Sequence, residues 1–117
     1  MSELGLVLTT SPLQYQNGET VVHVAEAALD RGHGVRIFLY LDGVYNPLRY
    51  QTFPDMAVMP WQRFQALAER GADIVACGLC VNARGLQGGK DFVSGIRIGG
   101  LPDFAAMVGE VDRLVCL

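Results

Sequence analysis

The stretch Asp73–Gly85, DIVACGLCVNARG, decides the fold of this 117-residue chain. After Asp73 it runs as continuous apolar residues to Cys77, a pattern typical of a strand buried on both faces of a parallel sheet. A short helical turn, Cys80–Ala83, follows, and Gly85 ends it. A buried strand that passes at once into a helical turn indicates alternating β and α elements.

The same alternation extends outward in both directions. Apolar residues at helical spacing predict helices that start at Glu19 and Pro60 and a third at residues 101–108. Arg31–Gly32 and Gly71 end the first two. Continuous apolar runs predict the other strands at residues 4–9, 35–41, 92–98 and 113–117. This order predicts an α/β fold, with one domain over residues 1–117 and a five-stranded, mostly parallel sheet that carries helices on both faces.

The composition narrows the classes of function. Half of the residues are hydrophobic and 18% are charged, which excludes a disordered chain and indicates extra buried surface, as in an oligomer interface. The net charge of -3 disfavours nucleic acid and anionic membranes as partners. No apolar run approaches the roughly 20 residues of a membrane span. The start MSELGLVLTT lacks the pattern of a signal peptide, so a cytoplasmic protein is expected.

Binding and catalytic residues are expected at one edge of the sheet, since open parallel sheets form their sites outside the carboxyl ends of the strands. By this prediction three loops meet there, at residues 9–18, 42–59 and 77–80. The longest, Asp42–Met59, has no clean period, and such loops in small domains are usually functional or lie in interfaces. Within it, Tyr45 and Asn46 serve either loop packing or contact with a partner.

Two of the three cysteines fall at this edge. Cys77 ends a predicted strand, and Cys80 opens a helical turn, where the helix end stabilises a thiolate and lowers its pKa. Arg84 follows one turn later and adds positive potential. This pattern is typical of a nucleophilic thiol. The third cysteine, Cys116, lies in the last predicted strand and is expected to be a core residue.

Other interpretations of the cysteine pair remain open. Buried cysteines are often chemically inert. A zinc site needs four ligands, and outside the pair only Cys116, His23 and His33 remain, so neither a metal nor an organic cofactor is expected. A thiol–disulfide couple also uses this spacing, although it normally opens a longer helix than one ended at Gly85.

Four stretches together resemble the DsrE/TusD (DsrE/DsrF-like) family of small sulfur-relay proteins over essentially the full chain. They are LGLVLTTSPLQYQNGETVVHVAEAALDRGHGV at 4–35, FLYLDGVYNP at 38–47, ADIVACGLCVNARGL at 72–86 and SGIRIGGLPDFAAMVGEVDRLVCL at 94–117. The resemblance implies DsrEFH-like, flavodoxin-like layering and a sulfurtransferase that carries sulfane sulfur as a cysteine persulfide between donor and acceptor proteins. Family members serve tRNA thiolation or sulfur oxidation and assemble as homo- or hetero-oligomers, trimers or hexamers.

The family pattern also implies which cysteine acts. Aligned without gaps from Gly71 to Gly85, the pattern Cys-Val-Ala-Ala-Ala-x-Arg-Arg-Gly places the active cysteine on Cys77 and matches Arg84. Placing it on Cys80 instead matches the Cys-Val pair better but needs a two-residue deletion before the arginine, so the resemblance favours Cys77 and leaves Cys80 as the alternative. With Cys77 as the active cysteine, Cys80 replaces an alanine, so a persulfide on one cysteine could be resolved by the other as a disulfide with release of sulfide. Two alternatives to relay follow: a CxxC thiol–disulfide redox protein, or a non-catalytic assembly or binding subunit. The loop Asp42–Met59 is expected to gate the site or dock a carrier.

Overall fold

The fold is a parallel sheet whose strands alternate with helices, described here for residues 2–117 by a computed structural model. The strands are β1 (Glu3–Leu8), β2 (Gly34–Leu39), β3 (Asp73–Cys77), β4 (Ile96–Gly99) and β5 (Arg113–Cys116). The helices are α1 (Asn17–Asp30), α2 (Pro60–Glu69), α3 (Gly78–Ala83), α4 (Gly88–Asp91) and α5 (Leu101–Glu110). The predicted α/β class is confirmed. No helix of the described residues is long and apolar enough to cross a membrane.

The five strands lie in the order β4-β3-β2-β1-β5, and every neighbouring pair is parallel. Strands β1 to β4 follow one another in a single direction across the sheet, and the chain then returns through α5 to place β5 beside β1. Because parallel crossovers are right-handed, α1 and α2 cover one face of the sheet and α5 covers the other. The helices therefore lie on both faces, as predicted.

The core forms where the central strands meet the helices. Leu6, Leu8, Ile37 and Ile74 are fully buried in β1, β2 and β3, as the continuous apolar runs predict. Helix α1 buries one face through Val21, Val22 and Ala25, and α2 begins at Pro60 and buries Phe64 and Leu67. On the opposite face, Phe104 of α5 stacks on Phe38 of β2 with ring centroids 5.2 Å apart.

The two edge strands differ from the expectation of burial. Strand β4 is four residues long, begins at Ile96 and is largely solvent-accessible. All four residues of β5 are exposed, and β5 pairs only with β1. The expectation that Cys116 is a core residue is therefore wrong: its thiol is free and exposed. A continuous apolar run indicates strand structure, yet it does not show whether the strand is central or at an edge.

The predicted loop 42–59 begins with a short 3-10 helix, Leu41–Tyr45, called here the Leu41–Tyr45 turn. Strand β2 ends at Leu39, two residues before the predicted end, and the backbone then crosses the carboxyl end of β1. Gly43 is buried there, and a Cβ at this position would overlap the carbonyl oxygen of Leu8. Only glycine allows the turn to lie this close to β1.

Replacing Gly43 with alanine should destabilise the protein by roughly 3 kcal/mol or more, since the new methyl group meets backbone that cannot move aside. Urea unfolding measures the effect. The matched control is Gly109→Ala in α5, where a Cβ meets no atom within 4 Å. This control should stabilise the helix by about 0.5–1 kcal/mol. Equal effects at the two positions would contradict the close approach at Gly43.

Candidate functional site

The topological switch point of the sheet lies between β3 and β4. The connection after β3 leads on to the next strand outward, whereas the connection after β4 returns across the opposite face through α5. The carboxyl ends of these two strands meet where Cys77 pairs with Gly99. Open α/β sheets bind their ligands at such a point, because the two chain segments separate there and leave a crevice. Cys77 therefore occupies the position where this fold forms its sites.

The two central cysteines share the first turn of α3. Cys77 is the residue before the helix, with extended backbone at φ -66° and ψ 119°, and Cys80 is the third helical residue. Side chains at these two positions lie next to each other, as in a capping box. Both thiols are buried, with 1% of Cys77 and 7% of Cys80 exposed, whereas Leu79 between them is 76% exposed. The cysteines thus form one buried dithiol, and the leucine between them in the chain is exposed.

A backbone amide contacts this dithiol from the Leu41–Tyr45 turn. The N–H of Leu41 donates a hydrogen bond to Cys80 Sγ across 3.2 Å. Leu41 adopts a left-handed backbone, with φ at +53°, which a branched non-glycine residue rarely does. Such a conformation costs on the order of 1–3 kcal/mol and persists only where the surroundings enforce it. The strained residue is the one that directs an N–H group at a sulfur atom.

Arg84 ties the same turn to α3. Its Nε donates to Asp42 Oδ1 at 2.8 Å, and its Nη1 donates to the Cys80 carbonyl oxygen at 3.1 Å. The hydrogen bond that Arg84 donates to Asp42 is the main reason that the pKa of Arg84 is raised. Arginine stays protonated at any physiological pH, so the positive charge is permanent. One guanidinium group therefore connects the turn to the helix and places a positive charge beside Cys80.

The pKa of the Cys80 thiol is raised above its ordinary value. Burial is the largest cause, and the hydrogen bond and charge of Cys77 act in the same direction. The Leu41 N–H and the Arg84 charge favour the thiolate but do not outweigh burial. The sequence predicts a lowered pKa at this position, and that prediction is wrong because burial of the thiol raises the pKa by more than Leu41 and Arg84 lower it.

The predicted partner residues Tyr45 and Asn46 end the turn. Tyr45 is half-buried and close enough to contribute to the raised pKa of Arg84. Asn46 is buried, and its Nδ2 donates to the carbonyl oxygens of Thr10 at 3.0 Å and Gly43 at 2.9 Å. The structure thus gathers Cys77, Cys80, Arg84 and Tyr45 in one neighbourhood and places Asn46 beneath it, where it fastens the turn to the β1–α1 segment.

Sequence reasoning missed two groups of this site, the Leu41 N–H and the Asp42 carboxylate. A leucine carries no signal for a left-handed backbone, and its functional atom belongs to the main chain. Asp42 precedes Gly43, a pair that predicts a turn but not an ion pair with Arg84 at a separation of 42 residues. Neither group could be found without the three-dimensional arrangement.

A cavity opens at the carboxyl end of the sheet, between α1 and α2. Its volume is about 310 Å³ and its lining includes Leu13, Val22, Val58, Arg63 and Phe64. Asn46 also borders it, whereas neither Cys77 nor Cys80 does. In the part of the chain that the structure describes, no group of three or more His, Cys, Asp or Glu residues could hold a metal ion.

The chain is similar to known proteins over its whole length. The family model of the DsrE/DsrF-like family matches residues 3–117. The chain is 32% identical over 125 residues to the protein named "Putative sulfurtransferase DsrE" of Allochromatium vinosum, covering 97% of this chain and 96% of that protein. It is also 32% identical over 110 residues to an uncharacterized protein of Methanopyrus kandleri, covering 94% and 89% of the two chains.

Two solved structures show the same fold. The YchN protein of E. coli has a TM-score of 0.90 at 22% identity, with 100% of both chains covered. A protein of unknown function, MTH1491 of Methanobacterium thermoautotrophicum, has a TM-score of 0.72 at 12% identity, again with 100% of both chains covered. These likenesses confirm the fold class predicted from the sequence.

The pH dependence of Cys80 alkylation tests the electrostatics of the site. In a Cys116→Ser background, the half-maximal pH for reaction of Cys80 with iodoacetamide should lie above that of an ordinary thiol. Cys77→Ala should lower this pH, whereas Arg84→Gln should raise it, because the first removes a group that raises the pKa and the second removes one that lowers it.

The raised pKa of Cys80 also makes the stability of the folded state depend on pH. The neutral buried thiol favours the folded state below the ordinary thiol pKa, and this contribution is lost as pH rises through the folded-state value. In the alkylation experiment, a half-maximal pH of Cys80 at or below that of an ordinary thiol would contradict the assigned causes. Shifts of this pH in the same direction in Cys77→Ala and Arg84→Gln would also contradict them.

Proposed function

Because the chain belongs to the DsrE/DsrF-like family, we propose that it is a cytoplasmic sulfur-relay protein that carries sulfane sulfur as a persulfide on Cys77. The single observation that supports this role best is the position of Cys77 at the switch point of the sheet, beside a second thiol and a permanent positive charge. The pathways served by such proteins, tRNA thiolation or sulfur oxidation, are both compatible with this chemistry.

The proposed reaction is a pair of sulfur exchanges. The Cys77 thiolate attacks the outer sulfur of a donor persulfide, R–S–SH, so that a new S–S bond forms on Cys77 and the donor leaves as R–S⁻. An acceptor thiolate then attacks the outer sulfur of Cys77–S–SH and returns Cys77 as a thiolate. Thiolate fraction, nucleophilicity and access govern both steps. No net oxidation occurs, and no metal or organic cofactor takes part.

The proposed partners are donor and acceptor proteins. Cys77 is almost fully covered, and the residues around the dithiol include the exposed apolar side chains of Leu79 and of Leu41, which is 45% exposed. A protein surface with apolar residues around its own persulfide would cover these leucines and displace water from the exchange. Arg84 and Tyr45 lie beside this surface and would contact the incoming partner. The loop after the turn, with exposed Tyr50 and Phe53, offers further apolar contact.

Mass spectrometry after incubation with a small persulfide donor tests the carrier role. In a Cys116→Ser background the chain should gain about 32 Da, the mass of one sulfur atom, and lose it on reduction. Cys77→Ser should abolish the gain. Cys116→Ser is needed because Cys116 is exposed and would take up sulfur unspecifically. Unchanged loading of Cys77→Ser would contradict the assignment of the carrier.

A thiol–disulfide couple is the second candidate, favoured by the contact between Cys77 and Cys80 in one helical turn. It predicts a reversible loss of about 2 Da, two hydrogen atoms, on mild oxidation. The same mass spectra separate the two functions. Neither change, with little alkylation of the folded protein, would indicate a non-catalytic assembly or binding subunit instead.

The edge strand β5 supports a further part of the proposal, that the chain works as a trimer or hexamer, alone or with sister subunits. Its residues are exposed although two of them are apolar, Leu114 at 37% and Val115 at 41%. An uncovered strand edge with apolar side chains is a surface that proteins normally protect or pair. Contact with another subunit would bury it.

Light scattering tests the assembly. The purified chain should have the mass of a trimer or hexamer, and Val115→Lys should lower the mass or weaken the assembly, because a charged residue on an edge strand opposes pairing. The matched control is Val24→Lys, an exposed valine on α1 that is 38% exposed. A monomeric wild-type chain, or equal effects of the two substitutions, would contradict an interface at β5.

A further inference from the structure

The function proposed above uses one cysteine, yet the structure builds its polar contacts around the other. Cys80 Sγ accepts the Leu41 N–H at 3.2 Å, and Arg84 holds both the Cys80 carbonyl oxygen and the carboxylate of Asp42. The left-handed strain of Leu41 is the cost of directing that N–H. These groups would stabilise negative charge on a sulfur attached at Cys80. An inert core thiol needs none of them.

Cys80 is more exposed than Cys77, as expected of the residue that delivers sulfur to an acceptor. Cys77 is 1% exposed, and Cys80, three residues further along the chain in the same helical turn, is 7% exposed. The outer sulfur of a persulfide on Cys80 would therefore start nearer the surface than one on Cys77. An acceptor thiol needs access to that outer atom.

The geometry points to Cys80 as a second sulfur carrier that receives the sulfane sulfur from Cys77 within the same chain and presents it to the acceptor. This inference rests on the proposed function and adds a step between uptake and delivery. The Cys80 thiolate attacks the outer sulfur of Cys77–S–SH, the S–S bond to Cys77 breaks, and Cys77 leaves as a thiolate. The proton that Cys80 gave up returns to Cys77, so the step needs no oxidant or reductant.

Both thiols are free, and they lie close enough for Cys77 to raise the pKa of Cys80. The outer sulfur of a persulfide lies about 2 Å beyond its Sγ, so a persulfide on Cys77 has the reach to meet a neighbouring thiol. Disulfide closure within the pair is the competing outcome, and the location of the added sulfur distinguishes the two.

Time-resolved localisation of the added sulfur tests the step. The Cys116→Ser protein receives one equivalent of a small persulfide donor and is quenched with iodoacetamide after increasing times. Trypsin cuts after Arg70 and Arg84 and releases residues 71–84, which contain both cysteines, and fragment ions between Gly78 and Leu79 assign the sulfur to one of them. We expect the added sulfur on Cys77 first and on Cys80 later.

Two variants test what Cys80 contributes. In Cys80→Ser the sulfur should stay on Cys77, and its delivery to sulfite, measured as thiosulfate, should be slower by about tenfold or more, the effect of roughly 1.4 kcal/mol on a barrier. Circular dichroism confirms that this variant is folded, and Cys80→Ala replaces it if it is not. Arg84→Gln should slow the arrival of sulfur on Cys80 and shift its pH profile upward.

Arg97→Gln is the matched control for Arg84→Gln. Arg97 forms an equivalent ion pair with Asp73 at 2.9 Å, but at the amino end of β3, away from the cysteines. This variant should transfer sulfur from Cys77 to Cys80 at the wild-type rate. An effect as large as that of Arg84→Gln would show that loss of an ion pair, and not the position of Arg84, causes the delay, which would overturn the role assigned to Arg84.

The outcomes separate the inference from the function on which it rests. Sulfur that stays on Cys77 in the wild type, with equal delivery by Cys80→Ser, overturns the second carrier and leaves the relay through Cys77 intact. A Cys77–Cys80 disulfide with release of sulfide also overturns it, in favour of the redox couple. First loading on Cys80 reverses the assigned order and overturns it too. No added sulfur on either cysteine overturns both proposals.

Discussion

The close approach of the Leu41–Tyr45 turn to the end of β1 is the constraint on which the site depends. Gly43 leaves no room for a side chain above the Leu8 carbonyl oxygen, and Asn46 fastens the far end of the turn to Thr10. With both points fixed, Leu41 is forced into its strained backbone and its N–H meets Cys80. If the turn lay farther from the end of β1, the hydrogen bond from the Leu41 N–H to Cys80 Sγ would be lost.

The topology explains why the cysteines lie where they do. In this strand order the switch point falls between β3 and β4, so the residue that ends β3 lies beside it. Helix α3 begins directly after that residue and brings Cys80 beside Cys77 in one turn. A single strand-to-helix junction therefore builds a dithiol, and the neighbouring turn supplies a hydrogen-bond donor and, through Asp42, a partner for Arg84.

Burial and polarity act against each other at Cys80. Burial protects the thiol from solvent and raises its pKa, whereas the Leu41 N–H and Arg84 favour its anion. A buried sulfur that receives charge-stabilising contacts is suited to exchange with a docked partner. The exposed leucines around it fit that use, since a protein surface would cover them before sulfur moves.

The sequence by itself determined the α/β class, the sheet edge that carries the site and the proximity of Cys77, Cys80 and Arg84, because these follow from local apolar runs and spacing within one segment. It did not determine that β5 and Cys116 are exposed, since strand patterns do not reveal the position of a strand in the sheet. The contacts of Leu41 and Asp42, and the raised pKa of Cys80, were decided only by the tertiary structure. The two contacts join segments about forty residues apart, and the pKa depends on burial. A local sequence pattern predicts neither a long-range contact of a backbone amide nor the burial of one thiol.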